Sequence, residues 1–120
     1  MKYLLLIYEN EAAFANVSEA EQGQIFQEYM DYSKGIAKSG NYIAGEALQP
    51  IATATTVRVQ NGKTLTTDGP FAETKEQLGG FYLVEAKDLD EAVALAARIP
   101  SARNGHVEVR PVMPSPMPGS

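Results

Sequence analysis

Three groups of side chains carry the chemistry this sequence offers. Asp68 stands directly before Gly69-Pro70-Phe71. A glycine and a proline after a carboxylate fix a tight turn. The acid is then either aimed into a cleft, where partial desolvation lifts its pKa toward acid–base use, or it accepts hydrogen bonds from the backbone of its own turn. Glu73, Lys75 and Glu76 follow on one polar segment. Lys75 is placed to pair with a neighbouring carboxylate or to bind an anionic substrate, although charge runs of this kind are more often solvated faces. His106, Glu108 and Arg110 alternate along a strand-like run, so they share one face with successive members about 6.6 Å apart. On that face the histidine, oriented by Glu108, is a proton shuttle near neutral pH. The competing reading is an edge strand kept charged against aggregation. The expected site is therefore Asp68 and His106 as catalytic groups, with Glu73, Lys75, Glu108 and Arg110 binding substrate.

Other chemistries lack their residues. One histidine and no cysteine leave only carboxylates for a metal, and these show no EF-hand spacing. Gly62-Lys63-Thr64 lacks the glycine that a phosphate loop needs five positions earlier, where Val57 stands. No glycine-rich fingerprint follows a strand, so no nucleotide cradle is visible and no cofactor is expected. The six tyrosines read as core bodies with satisfied hydroxyls rather than as site residues. Fifteen acidic against ten basic side chains give a net charge of -5, which argues against nucleic acid as a direct partner. No apolar run approaches the ~20 residues of a spanning helix, and MKYLLLIYEN is not a secretory signal. The expectation is a soluble, cytoplasmic protein with no membrane partner.

The elements that must position these groups follow from pattern. With 120 residues, 44% of them hydrophobic, one domain with its own core is expected over residues 1–113, followed by a flexible proline-rich tail over 114–120. Tyr3–Tyr8 and Phe81–Val84 are unbroken apolar runs, read as strands buried on both faces. Ser18 with Glu21 forms a capping box. It opens a helix whose stripe comprises Ile25, Phe26, Tyr29, Met30, Tyr32, Ser33 and Ile36, and which stops at Gly40. Tyr42–Leu48 is a strand. Asn61-Gly62 is a two-residue hairpin turn that pairs Thr55–Gln60 with Lys63–Thr67. About a dozen loop residues then lead to Phe81, long enough to suggest a lid or binding segment. Asp88 caps a second helix with Leu89, Ala92, Val93, Ala96 and Ile99 inward, and His106–Arg110 is a half-buried edge strand.

The order strand, helix, strand, inserted hairpin, strand, helix, strand predicts an α+β, ferredoxin-like sandwich with both helices on one side and the first and third core strands central. Two helices cover one face of that sheet. Leaving the other apolar row wet would forfeit on the order of 10 kcal/mol. A second copy packed face to face about a two-fold axis is therefore predicted, with the hairpin folding back as the alternative cover.

The string DGPFAETKEQLGGFYLVEA, together with MKYLLLIY, Gly45-Glu46-Ala47-Leu48 and Val107-Glu108-Val109-Arg110-Pro111 in that order, resembles the DGPF-domain proteins of the YCII-related (YciI-like) family over residues 1 to about 113. The resemblance implies a dimeric α/β-barrel of ferredoxin-like protomers. Related barrels include small-molecule isomerases and monooxygenases, and YCII-like proteins are associated with a histidine–aspartate pair. This chain departs from that pattern, because its single histidine is His106. DGPF-type relatives also imply a link to extracytoplasmic-function sigma factors. Two functions follow as expectations: a small organic molecule bound in a cleft of the dimer, with cofactor-free acid–base catalysis through Asp68, or a non-catalytic ligand-sensing or regulatory protein.

Overall fold

The structure, a computed structural model, describes residues 1–114. The tail expected over 114–120 falls, from residue 115 on, outside the described residues. The chain is a mixed α+β fold with antiparallel sheets and three α-helices: β1 (Lys2–Glu9), α1 (Glu11–Ala15), α2 (Glu19–Lys38), β2 (Tyr42–Ala47), β3 (Thr55–Gln60), β4 (Lys63–Asp68), β5 (Gln77–Glu85), α3 (Leu89–Ala97) and β6 (His106–Pro111). The main sheet has the order β2-β5-β1-β6, and β3-β4 form a separate two-stranded ribbon. The two apolar runs are thus the central strands. The main sheet is open, with β2 and β6 as its edges, and no barrel closes among the described residues.

Alternation on the central strands decides the packing. Tyr3, Leu5 and Ile7 of β1 and Tyr82 and Val84 of β5 are buried, and join Tyr32 and Ile36 of α2 and Ala92, Leu95, Ala96 and Ile99 in one core. Leu4, Leu6, Phe81 and Leu83 point the other way and are only half-buried. The runs read as buried on both faces are sealed on one face only in this chain. The molecule is 20 Å through its thinnest direction, the depth of one sheet plus one helix layer.

Local signals place the elements. The Ser18 hydroxyl accepts from the Glu21 N–H at 3.2 Å and the Asp88 carboxylate from the Glu91 N–H at 2.9 Å, each satisfying an orphan donor of a first turn. Asn61 and Gly62 hold φ of 51° and 75° between β3 and β4, as a primed hairpin turn requires. The ribbon stands clear of the core: Val57 and Val59 are 61% and 68% exposed, and Phe71 beyond it is 91% exposed.

Four expectations are corrected. The helix α1 was not anticipated; Asn10 caps it by accepting from the Ala13 N–H at 3.1 Å, and the Glu11 carboxylate accepts from the Ile51 N–H at 3.0 Å. Leu89 and Val93 face outward on α3 and Leu95 inward, because the helix centres its apolar face on the 92, 95, 96, 99 spacing. Phe26 and Met30 belong to the stripe of α2 yet are exposed. The loop before β5 spans only Gly69 to Glu76, because the strand begins at Gln77, opposite Glu9 across an irregularity at Ile7/Tyr8.

Gly80 marks a close approach of two backbones. A Cβ there would lie 2.8 Å from the Glu46 carbonyl oxygen on β2, whereas one at Gly23 of α2 meets nothing within 4 Å. Gly80→Ala is expected to lower stability by about 1–3 kcal/mol through that overpacking. Gly23→Ala is expected to raise it by about 0.5–1 kcal/mol through helix propensity. Urea unfolding of the two variants beside the parent chain checks both signs.

Candidate functional site

The six expected site residues occupy three places. Asp68 ends β4 opposite Thr55 and is exposed. Gly69, at φ 99°, donates its N–H to the Ala54 carbonyl at 2.7 Å and accepts from the Thr56 hydroxyl at 2.8 Å. Among the described residues no hydrogen bond reaches the Asp68 carboxylate itself. Glu73 and Lys75 lie exposed on the following loop. His106, Glu108 and Arg110 stand opposite Tyr8, Leu6 and Leu4, on the sheet face that the helices leave open. Their pairing differs from expectation: His106 Nδ1 meets Glu76 Oε1 at 2.7 Å, and Glu108 takes the Arg110 guanidinium instead. The structure brings the β6 residues onto one face, adds Glu76 to them and leaves Asp68 on the ribbon.

A larger apolar recess lies away from all three places. A cavity of about 460 Å³ opens between α2 and the β2–β5 edge of the sheet, on the helix-covered face. Its origin is in the residue sizes. At the sealed end, Tyr32 and Ile36 fill the gap against Tyr82 and Val84, the rings of Tyr32 and Tyr82 meeting edge to face at 5.2 Å. At the other end the sheet presents Gly45, Ala47 and Gly80, which offer almost no side-chain volume. The helix therefore stands off a floor that nothing fills, and Phe26, Tyr29, Met30 and Ser33 overhang it. Gly45 is required where a Cβ would lie 2.7 Å from the Tyr82 ring.

Polar groups line this cavity in two bonded sets. The Tyr82 hydroxyl and Ser33 Oγ lie 2.7 Å apart. The Tyr29 hydroxyl is bonded to Ser101 Oγ, which donates to Glu9 Oε2 at 2.9 Å. Burial pushes the phenols of Tyr29, Tyr32 and Tyr82 above their ordinary pKa, and the charge on Glu9 adds to the rise at Tyr29. These hydroxyls stay protonated under ordinary conditions. An apolar chamber with a few fixed polar groups is the usual form of a small-molecule site. Among the described residues no group of three or more histidine, cysteine, aspartate or glutamate side chains is arranged to hold a metal, and no helix is long and apolar enough to cross a membrane.

None of the six expected residues lines the cavity. By residue type and pattern the tyrosines read as core bodies with satisfied hydroxyls. Tyr82 meets that description, yet with Tyr29 it also forms the wall. A signal was available: Phe26 and Met30 extend the apolar stripe of α2 beyond what a sheet carrying Gly45, Ala47 and Gly80 can cover.

The raised phenol pKa values fix a sign at alkaline pH. Below about pH 10 the phenols are neutral in both folded and unfolded states, and their contribution is complete. Above it the unfolded chain ionises first, so stability falls as pH rises toward the folded-state values. Tyr32→Phe is expected to make this alkaline loss shallower and, by removing the 2.7 Å hydrogen bond to the Leu95 carbonyl, to cost about 1–2 kcal/mol at neutral pH. Urea unfolding across the alkaline range reads both effects.

Comparison with known proteins adds two matches. The family model described as YCII-related domain matches residues 1–116. The uncharacterized protein R00369 of Rhizobium meliloti (strain 1021) is 36% identical over 114 residues, covering 93% of this chain and 92% of its own.

Proposed function

The chain belongs to the YCII-related family, and from that premise we propose that it is a small-molecule-binding protein, its site the cavity between α2 and the glycine-bearing end of β2–β5. The observation that carries this reading is the cavity itself: about 460 Å³, walled by Phe26, Met30 and tyrosine rings, with its hydroxyls already held in place. A chamber of that size suits a compact organic molecule, and rigid walls reduce the ordering cost of binding.

The working unit in this reading is a homodimer of ferredoxin-like protomers, whose sheets close face to face into a barrel. Its support is the open sheet face. Leu4, Leu6, Phe81 and Leu83 form an apolar centre, and His106, Glu108 and Arg110 on the β6 edge supply a charged margin. An apolar middle with a polar rim is the usual anatomy of a protein interface, and α2 and α3 pack on the other face. The ligand cavity lies on the opposite face of the sheet, so the two roles do not compete for surface.

Both halves are testable. Met30→Trp places an indole in the chamber and is expected to weaken binding of 2-phenylethanol about tenfold or more, read from shifts of the Ala47 methyl resonance, with the fold unchanged by circular dichroism. Equal binding by variant and parent would remove the site. Sedimentation equilibrium is expected to give twice the chain mass of 13.0 kDa, and Leu6→Glu, at the middle of the open face, is expected to give the single chain. A parent protein that sediments as one chain would remove the dimer.

A further inference from the structure

Hydrogen-bond accounting inside the cavity narrows the guest it accepts. Ser101 has one hydroxyl proton, and it goes to Glu9 Oε2. The bond between Tyr29 and Ser101 must then be donated by the phenol. With its proton spent, the Tyr29 oxygen offers only lone pairs to the chamber. Glu9 adds a second acceptor. Its Oε2 is taken by Ser101, while Oε1 lies over the Gly79 backbone, 3.3 Å from where a Cβ on that glycine would stand, and receives no hydrogen bond among the described residues. This corner of the wall therefore accepts hydrogen bonds and cannot donate them. It also carries a formal negative charge, on a carboxylate that Ser101 holds in position.

The rest of the wall suits a cation. Tyr29, Tyr82 and Phe26 line the chamber, and Tyr42 stacks edge to face on Tyr82 at 6.3 Å between centroids. Aromatic faces attract an ammonium group, more strongly where water is scarce. One opposing charge is present, Lys34 at the rim. It is exposed on α2, where water screens its ammonium, whereas Glu9 is half-buried and bonded in place. A fixed, partly desolvated charge governs recognition over a solvated mobile one.

We infer that the cavity selects a small primary amine with an aromatic or apolar body, its ammonium donating to Glu9 Oε1 and the Tyr29 oxygen and its body lying over the Gly45–Gly80 floor. The inference rests on the proposed use of this cavity and specifies its ligand class. An ammonium group supplies three donors and no acceptor, the complement of this corner. A carboxylate guest would face Glu9 without a donor between them, and a neutral alcohol brings one donor and no charge.

Three probes of one shape separate the ideas: 2-phenylethylamine, 2-phenylethanol and phenylacetate, titrated at neutral pH into the full chain by calorimetry. The amine is expected to bind about tenfold tighter than the alcohol, the scale of a charge-assisted hydrogen bond, and phenylacetate weakest of the three. Glu9→Gln keeps an acceptor for Ser101 and is expected to bring the amine to within about twofold of the alcohol. Lys34→Ala is expected to leave the order of the three probes as it is. An alcohol or acid that binds as tightly as the amine, or an amine affinity that survives Glu9→Gln, overturns the amine assignment and leaves the cavity as a binding site. Failure of all three probes to bind the folded parent chain overturns the assignment together with the cavity reading.

Discussion

Everything in this molecule depends on a sheet that has two faces and one layer of helices. Alternation along β1 and β5 sends Tyr3, Leu5, Ile7, Tyr82 and Val84 to the covered side and Leu4, Leu6, Phe81 and Leu83 to the other. Burying one row beneath α2 and α3 satisfies half of an apolar demand that the strands carry in full. The covered side can hold a chamber because its core is complete at one end. The uncovered side carries the charged β6 margin.

The chamber is a consequence of packing against residues of unequal size. The helix α2 runs for 20 residues, and its height above the sheet is set by the bulkiest contacts beneath it, here Tyr32 and Ile36 against Tyr82 and Val84. Where the sheet changes to Gly45, Ala47 and Gly80, the same height leaves space. Filling that space by shrinking the helix–sheet distance would collide with the aromatic pair, and filling it from below is blocked at Gly45 and Gly80 by the Tyr82 ring and the β2 backbone. Two glycines at which a Cβ would meet a neighbour at under 3 Å thus bound the space. Its polar groups are already tied to one another.

Much of the fold was legible in the residues because the signals are local and strong. Ser18 and Asp88 mark helix starts, Asn61-Gly62 marks the hairpin, and two uninterrupted apolar runs identify the central strands. The helix α1 was hidden because its cap, Asn10, lies in a short polar stretch with no apolar periodicity. Leu95 was missed on α3 because Leu89 and Val93 fit an apolar stripe equally well until the sheet selects a face. The candidate site was less legible still. Its wall is assembled from β1, α2, β2 and β5, and no motif in one segment announces a vacancy between several. The charged residues that stand out in sequence, from Asp68 to Arg110, are conspicuous because they lie at the surface. The Tyr29, Ser101 and Glu9 connection spans 92 positions of chain between Glu9 and Ser101, and only the fold brings it together.

The central claim, that the helix-covered face of the sheet holds the binding chamber, is tested most directly by a crystal structure of the protein grown with 2-phenylethylamine. The account predicts ligand density between α2 and the Gly45–Gly80 floor, with its nitrogen beside Glu9 and Tyr29. An empty chamber, with the ligand instead beside Asp68 or on the His106, Glu108 and Arg110 face, would contradict it.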